Sequence, residues 1–99
     1  MIYSRLQSRN ANLTGGKPML LKVKYFARFR ELAGKSEEAV EMSERAMILD
    51  LKKMVLRDHP LLSSYESSMI VARNENFARD DDYLQAGDEI DFFPPVSGG

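Results

Sequence analysis

The residues with the clearest chemical potential close the chain: Pro94, Pro95, Val96, Ser97, Gly98 and Gly99. Gly98 and Gly99 carry no β-carbon, so a second protein can close around the backbone and approach the terminal carbonyl from either side. The C-terminal carboxylate of Gly99 is the expected working group. A carboxylate is a poor electrophile, and acyl transfer from it requires prior conversion to a mixed anhydride such as an acyl-adenylate made from ATP. Pro94 and Pro95 cannot donate ladder hydrogen bonds and hold the backbone extended, so a strand that reaches them must leave its sheet. At about 3.3 Å per residue, Val96 to Gly99 then reach roughly 13 Å, enough to thread a narrow channel in another protein.

The rest of the chain offers no machinery to activate that carboxylate. It has no cysteine, which removes disulfides, thiolate metal sites, cysteine nucleophiles and persulfide chemistry on the chain itself; any sulfur comes from elsewhere. No glycine-rich phosphate loop, Ser-His-Asp set or metal-ligand cluster is present, so no cofactor or metal is expected on this chain and the chemistry falls to partner enzymes. His59, just before Pro60, reads as a dipole partner at a helix end, without a nucleophile or acid companion. Asp80, Asp81 and Asp82 lack the spaced loop of a calcium motif and read as a solvated turn. Met42, Met47 and Met54 read as core packing.

Ninety-nine residues, 43% of them apolar, can bury one compact core, so a single domain is expected. Charges nearly cancel, with 14 basic and 15 acidic residues, but three of the basic ones (Arg5, Arg9, Lys17) and none of the acids fall in residues 1–18, leaving a mildly acidic body. That balance argues against a nucleic-acid partner, which needs a clustered basic face. No apolar run approaches the roughly 20 residues of a membrane span and no signal-peptide h-region opens the chain, so a cytoplasmic location is expected. Residues 1–18 show no period and end in Gly-Gly-Lys-Pro, which reads as a flexible extension or leader. The domain is expected over 19–93 and the extended tail over 94–99.

The elements that must position the tail follow from hydrophobic spacing. Leu20 to Ala27 alternates, placing Leu21, Val23, Tyr25 and Ala27 on one face and Lys22, Lys24 and Phe26 on the other, as in a half-buried strand. Arg28 to Gly34 reads as a long connection ending in a left-handed glycine, and Glu37 to Met42 as the returning strand. Ser43 is the expected cap of a helix whose apolar face carries Met47, Ile48, Leu51, Met54 and Val55, and which Pro60 stops. After a Ser-rich loop, Met69 to Ala72 and Phe77 suggest a small hairpin turned by Arg73 to Asn76. Gly87-Asp88-Glu89 then turns the chain into a strand from Ile90 to Phe93. The order ββαβ(β)β is α+β and fits a β-grasp, ubiquitin-like fold, a mixed sheet wrapped on one main helix. That fold sets the last strand parallel beside the first.

The segments LLKVKYFARFRELAG and LQAGDEIDFFPPVSGG, with a helix between them, resemble the MoaD/ThiS family of ubiquitin-like sulfur carriers over about residues 19 to 99. FFPPVSGG is the most specific part. The likeness is to the molybdopterin synthase small subunit and, more distantly, to the thiamine-pathway carrier. Two departures are the 18 residues ahead of Met19 and Ser97, where the family often has threonine. The resemblance implies an E1-like adenylating enzyme that uses ATP to form a Gly99 acyl-adenylate, and a sulfur donor protein that converts it to a thiocarboxylate. It further implies a large subunit that takes the sulfur onto cyclic pyranopterin monophosphate, in a heterotetramer built on a large-subunit dimer.

If the first and last strands are neighbours, Phe26 and Phe93 form one exposed apolar patch at the root of the tail, with Asp91 outward beside Phe93, and a partner is expected to dock there. Arg28 and Arg30, at the end of the first strand, are further candidates for contact with acids of the activating enzyme. Three alternatives share the sequence: a ubiquitin-like modifier joined through Gly99 to lysines, a thiamine-pathway carrier, and a plain binding module whose tail is never activated.

Overall fold

The computed structural model describes residues 17–95. β1 (Met19–Tyr25) alternates as its spacing predicts, with Met19, Leu21, Val23 and Tyr25 buried and Leu20 and Lys22 exposed. The strand ends before Ala27. That residue has φ 53° and lies exposed, which corrects its expected place on the core face. The left-handed backbone there turns the chain out of the sheet.

The turn leads into α1 (Arg28–Ala33), a helix where an irregular connection was expected. Six residues make fewer than two turns, too few for a helical period to register. Phe29 is its fully buried side chain and meets Tyr65 edge to face, with ring centroids 5.1 Å apart. Gly34 closes α1 in the left-handed conformation at φ 78°, its N–H donating to the Arg30 carbonyl at 3.0 Å. β2 (Glu37–Met42) then returns antiparallel, with Lys24 opposite Glu37 and Met19 opposite Met42.

The main helix, α2 (Ile48–Asp58), starts five residues after the expected cap at Ser43. Its free N-terminal N–H groups are satisfied in two ways: the carbonyls of Asp82 and Asp80 accept from Ile48 and Leu49 at 2.9 and 3.0 Å, and the carboxylate of Asp50, in the helix's own first turn, accepts from Met47 N–H at 2.8 Å. A cap supplied by a distant loop outcompetes the nearest serine, and the same loop uses the Asp80–Asp82 run structurally. Ile48, Leu51 and Val55 are fully buried, with Met42 and Met54 packed at the edge of the core. Pro60 ends α2 as expected, but it also opens a 3-10 helix, Pro60–Tyr65, in place of the expected Ser-rich loop, and Leu62 is buried there.

β3 (Ile70–Arg73) and β4 (Asn76–Phe77) form the small hairpin, turned by Asn74 and Glu75 at φ 50° and 74°. β5 (Glu89–Phe93) completes a five-stranded sheet in the order β2-β1-β5-β3-β4. β5 runs parallel to β1 and antiparallel to β3. Flanked on both edges and covered on one face by α2, it buries Ile90 and Phe92 completely beside Leu21, Val23, Tyr25, Leu51 and Val55. Burial of each such side chain contributes about 1.5–3 kcal/mol. A mixed sheet with its last strand parallel to its first and one helix across one face is the β-grasp arrangement. No described helix is long and apolar enough to cross a membrane.

Candidate functional site

The face of the sheet away from α2 carries the candidate site. Strand alternation sends Lys22 and Lys24 of β1 and Glu89, Asp91 and Phe93 of β5 to that side, with Phe26 continuing the series just past β1. The register sets Lys24 and Ala72 on either side of Asp91, Ile70 beside Phe93, and Phe77 beside Ala72. Phe26 N–H donates to the Phe92 carbonyl at 3.2 Å, so pairing with β5 runs one residue beyond β1. Phe26 and Phe93 are thereby brought together as expected: their rings stack with centroids 4.6 Å apart and planes 14° from parallel. Both are half-buried, as is Ile70, while Phe77 is 85% exposed. Phe77 was expected as a strand residue, not as part of this surface; its place follows from the hairpin register.

β5 gives out at this aromatic pair into Pro94, half-buried, and Pro95, exposed, both outside regular structure. Val96, Ser97, Gly98 and Gly99 lie outside the described residues. Arg28 and Arg30 stand on α1, not at the end of a strand. Both are exposed, and the Arg28 guanidinium pairs with Glu31 of its own helix at 3.1 Å.

Asp91 departs from a simple outward strand residue. It faces away from the core as alternation predicts, yet only 8% of it is exposed, and its Oδ1 is buried without a hydrogen-bond partner. Lys24 is engaged with Glu89 at 3.4 Å. Burial pushes the Asp91 carboxyl above the usual carboxylate range, the Glu89 charge adds to this, and Lys24 opposes it.

A polar clamp fixes where β5 starts, and so where Phe93 and Pro94 emerge. The buried Asp88 carboxylate accepts from Gln85 N–H at 2.8 Å and from Asn74 Nδ2 at 2.9 Å, with Arg73 Nε at 3.5 Å. Asn74 Oδ1 in turn accepts from Glu89 N–H at 2.9 Å, and Gly87, at φ 85°, donates its N–H to the Leu20 carbonyl at 2.9 Å. The clamp ties the β3–β4 turn to the entrance of β5. Sequence reading found both turns but not the link between them, for which Asn74 beside a left-handed turn is the only local signal.

On the opposite face, Glu38 accepts hydrogen bonds from the Tyr25 hydroxyl and from Lys35 at 3.3 Å, and its Oε2 lies 2.8 Å from His59 Nε2. Burial raises the Glu38 carboxyl, but the hydrogen bonds from Tyr25, His59 and Lys35 outweigh it and hold it below its ordinary range. Burial, with the Glu38 hydrogen bond and charge, pushes the Tyr25 phenol well up. His59 also donates its backbone N–H to the Val55 carbonyl at 2.8 Å and packs edge to face on Tyr25, with centroids 5.3 Å apart. It ties the end of α2 to β1 and β2.

Among the described residues, no group of three or more His, Cys, Asp or Glu is placed to hold a metal ion. What the described surface offers is a stacked aromatic pair beside charged side chains, where β5 gives out into Pro94 and Pro95.

Comparison with known proteins agrees with this architecture. The model of the ThiS family matches residues 23–99. The molybdopterin synthase sulfur carrier subunit of Chlamydomonas reinhardtii is 39% identical over 83 residues, covering 82% of this chain and all of that protein. Among solved structures, molybdopterin converting factor subunit 1 of Pyrococcus furiosus superposes with a TM-score of 0.73 at 35% identity, covering 79% of this chain and 99% of that one. Small archaeal modifier protein 1 of Haloferax volcanii gives a TM-score of 0.72 at 29% identity, covering 79% and 99%. Matched in sequence and in fold over most of its length, the chain belongs to the ThiS family.

Proposed function

We propose that this chain is the sulfur carrier subunit of a molybdopterin synthase, acting in molybdenum cofactor biosynthesis through the carboxylate of Gly99. The observation that carries the reading is the stacked Phe26–Phe93 pair at the point where β5 gives out into Pro94-Pro95. It sets a docking surface at the root of a tail whose last residues are Gly98-Gly99. The curated relatives are named as subunits of molybdopterin synthase, so the partner fitted to this surface is the large subunit of that enzyme.

The chemistry balances without any catalytic group on this chain. The Gly99 carboxylate attacks the α-phosphate of ATP on an E1-like adenylating enzyme, forming the acyl-adenylate and releasing pyrophosphate. Hydrosulfide, or a donor protein's persulfide followed by thiol reduction of the acyl disulfide it forms, displaces AMP and leaves a thiocarboxylate. On the large subunit that sulfur bonds to a carbon of cyclic pyranopterin monophosphate, and water then cleaves the resulting acyl–sulfur bond, so the sulfur stays on the pterin and Gly99 returns as a carboxylate. The body holds the stalk, the partners hold ATP and pterin, and the cycle runs in the cytoplasm.

A second reading, conjugation of activated Gly99 to lysines, is favoured by the likeness to a small archaeal modifier protein. It shares the adenylation step and differs in the nucleophile; a thiamine-pathway acceptor would differ only after the thiocarboxylate. The test is a chain with one residue appended after Gly99. Adenylation and synthase activity are expected to vanish while the melting temperature and large-subunit affinity stay unchanged. Full synthase activity with the appended residue would refute the proposal.

A further inference from the structure

Among the described residues, β2 is the long open edge of the sheet. It pairs with β1 on one side, and the strand at the opposite edge, β4, is two residues long. Tyr25 N–H donates to the Ser36 carbonyl at 2.8 Å, and the β1–β2 register carries that alternation along the ladder. Ser36, Glu38, Val40 and Met42 therefore turn their backbone groups toward β1, while Glu37, Ala39 and Glu41 turn theirs outward. The side chains of these three stand exposed on the outer face, two carboxylates four residues apart with a methyl group between them. Glu41 has no cationic partner among the described residues and stands opposite Leu20. Glu37 makes a loose 3.9 Å contact with Lys22, both side chains 52% exposed. Glu38, on the inner side, is engaged with Tyr25, Lys35 and His59.

We propose that the β2 edge is an interaction surface for an extended, basic segment of a partner protein, which adds a sixth strand through the backbone of Glu37, Ala39 and Glu41. An open edge is a template for another strand; backbone pairing supplies affinity and alternate side chains supply specificity. Here the specificity is charge. The segment that fits carries lysine or arginine at two positions four apart, opposite Glu37 and Glu41, with a small residue between them opposite Ala39. Opposite charges that face each other across neighbouring strands stabilise the pairing, and like charges destabilise it. A second copy of this chain is thereby disfavoured, because antiparallel pairing of β2 with itself about Ala39 sets Glu37 against Glu41 at both ends. The acids thus guard the edge against self-association and leave it open to a basic strand. An added strand would lie beyond β2, with β2 between it and β1, so the Phe26–Phe93 pair stays uncovered and the inference does not rest on the docking assigned under the proposed function.

The experiment titrates the full-length, isotope-labelled chain with a blocked peptide, Thr-Arg-Val-Ser-Val-Arg-Thr, whose palindromic sequence fits either strand direction, and with the same peptide carrying glutamate in place of arginine. Amide spectra and amide exchange are read at two salt concentrations. The basic peptide is expected to shift the amides of Glu37, Ala39 and Glu41, to slow their exchange, to leave Phe93 unmoved and to bind more weakly as salt rises. The acidic peptide is expected to shift none of them. A double variant, Glu37→Gln with Glu41→Gln, changes two exposed side chains; it should melt at the wild-type temperature and bind the basic peptide about fivefold or more weakly. Ala39→Pro removes an outward N–H and should abolish the edge shifts. Equal binding of the two peptides, wild-type affinity in the double variant, shifts confined to other surfaces, or no binding at all overturns the proposal. Edge amides that are protected without peptide and lose that protection when residues 1–18 are removed would assign the edge to the chain's own N-terminal segment. Protection that grows with protein concentration would assign it to a second copy, and either result equally overturns the proposal.

Discussion

Phe26 and Phe93 lie face to face across the junction of the first and last strands, ring centroids 4.6 Å apart and planes 14° from parallel. They are 67 positions apart in the chain, and only the parallel pairing of β1 with β5 makes them neighbours. Under the proposed function, this half-buried pair serves less to fold the chain than to dock its partner.

That division can be measured. Phe26→Ala and Phe93→Ala should each weaken large-subunit binding by about 2 kcal/mol or more, as aromatic anchors at the centre of an interface do. Because the rings are half-exposed, the loss of folding stability should stay near the roughly 0.5–1.5 kcal/mol of an aromatic pair. Titration calorimetry beside chemical denaturation separates the two. Equal losses in both would assign the pair to the core.

Glu38 gives the fold a defined acid sensitivity. Its folded carboxyl is held below its ordinary value of 4.5, so its contribution to stability is fully present above that pH and is lost as pH falls through the lower folded value. Tyr25 works in the other direction: its folded phenol is raised above 10.0, so its contribution holds below pH 10 and fades as pH rises beyond it. Glu38→Gln should therefore flatten the stability profile just below pH 4.5 and lower stability at neutral pH. Denaturant midpoints across pH 2.5–7 check this, and an unaltered acid limb would show that the network carries no charge-linked stability.

The clamp at the entrance of β5 should be costly to break. Asp88→Ala leaves Gln85 N–H and Asn74 Nδ2 without their acceptor in a part-buried place, a loss of about 1 kcal/mol. The damage should concentrate at the junction of β5 with β1 and β3, read as faster amide exchange at Glu89 and Asn74 than at Val23 or Leu51. Uniform acceleration across the sheet would mean that the clamp acts only through global stability.

Much of this architecture is legible in the residues, for reasons that can be named. The alternation of Leu21, Val23 and Tyr25 against Lys22 and Lys24 fixes β1 and its faces, because the strand period is two and one side is buried. Ile48, Leu51 and Val55 fix α2 over three turns. α1 and the 3-10 helix are too short for a period to register, and the start of α2 is set in large part by carbonyls of Asp80 and Asp82, far away in the chain, with Asp50 three residues after Met47 as its local signal. The adjacency of β1 and β5 came from resemblance to a known fold, since periodicity says nothing about strand order. Of the candidate site, the outward placement of Phe26 and Phe93 could be read. The burial of Asp91 could not: alternation tells which side a residue faces, not what its neighbours cover.

The central claim is that the Gly99 carboxylate is activated and thiolated. Its most direct test is intact mass spectrometry of the chain after incubation with its adenylating enzyme, ATP and a sulfur source, with fragmentation of the C-terminal peptide. Replacement of one terminal oxygen by sulfur on Gly99 is the predicted result. An unmodified Gly99, in an assay where a control carrier is thiolated, would contradict it and leave a binding module; a lysine-linked adduct in place of the thiocarboxylate would assign the chain to protein modification.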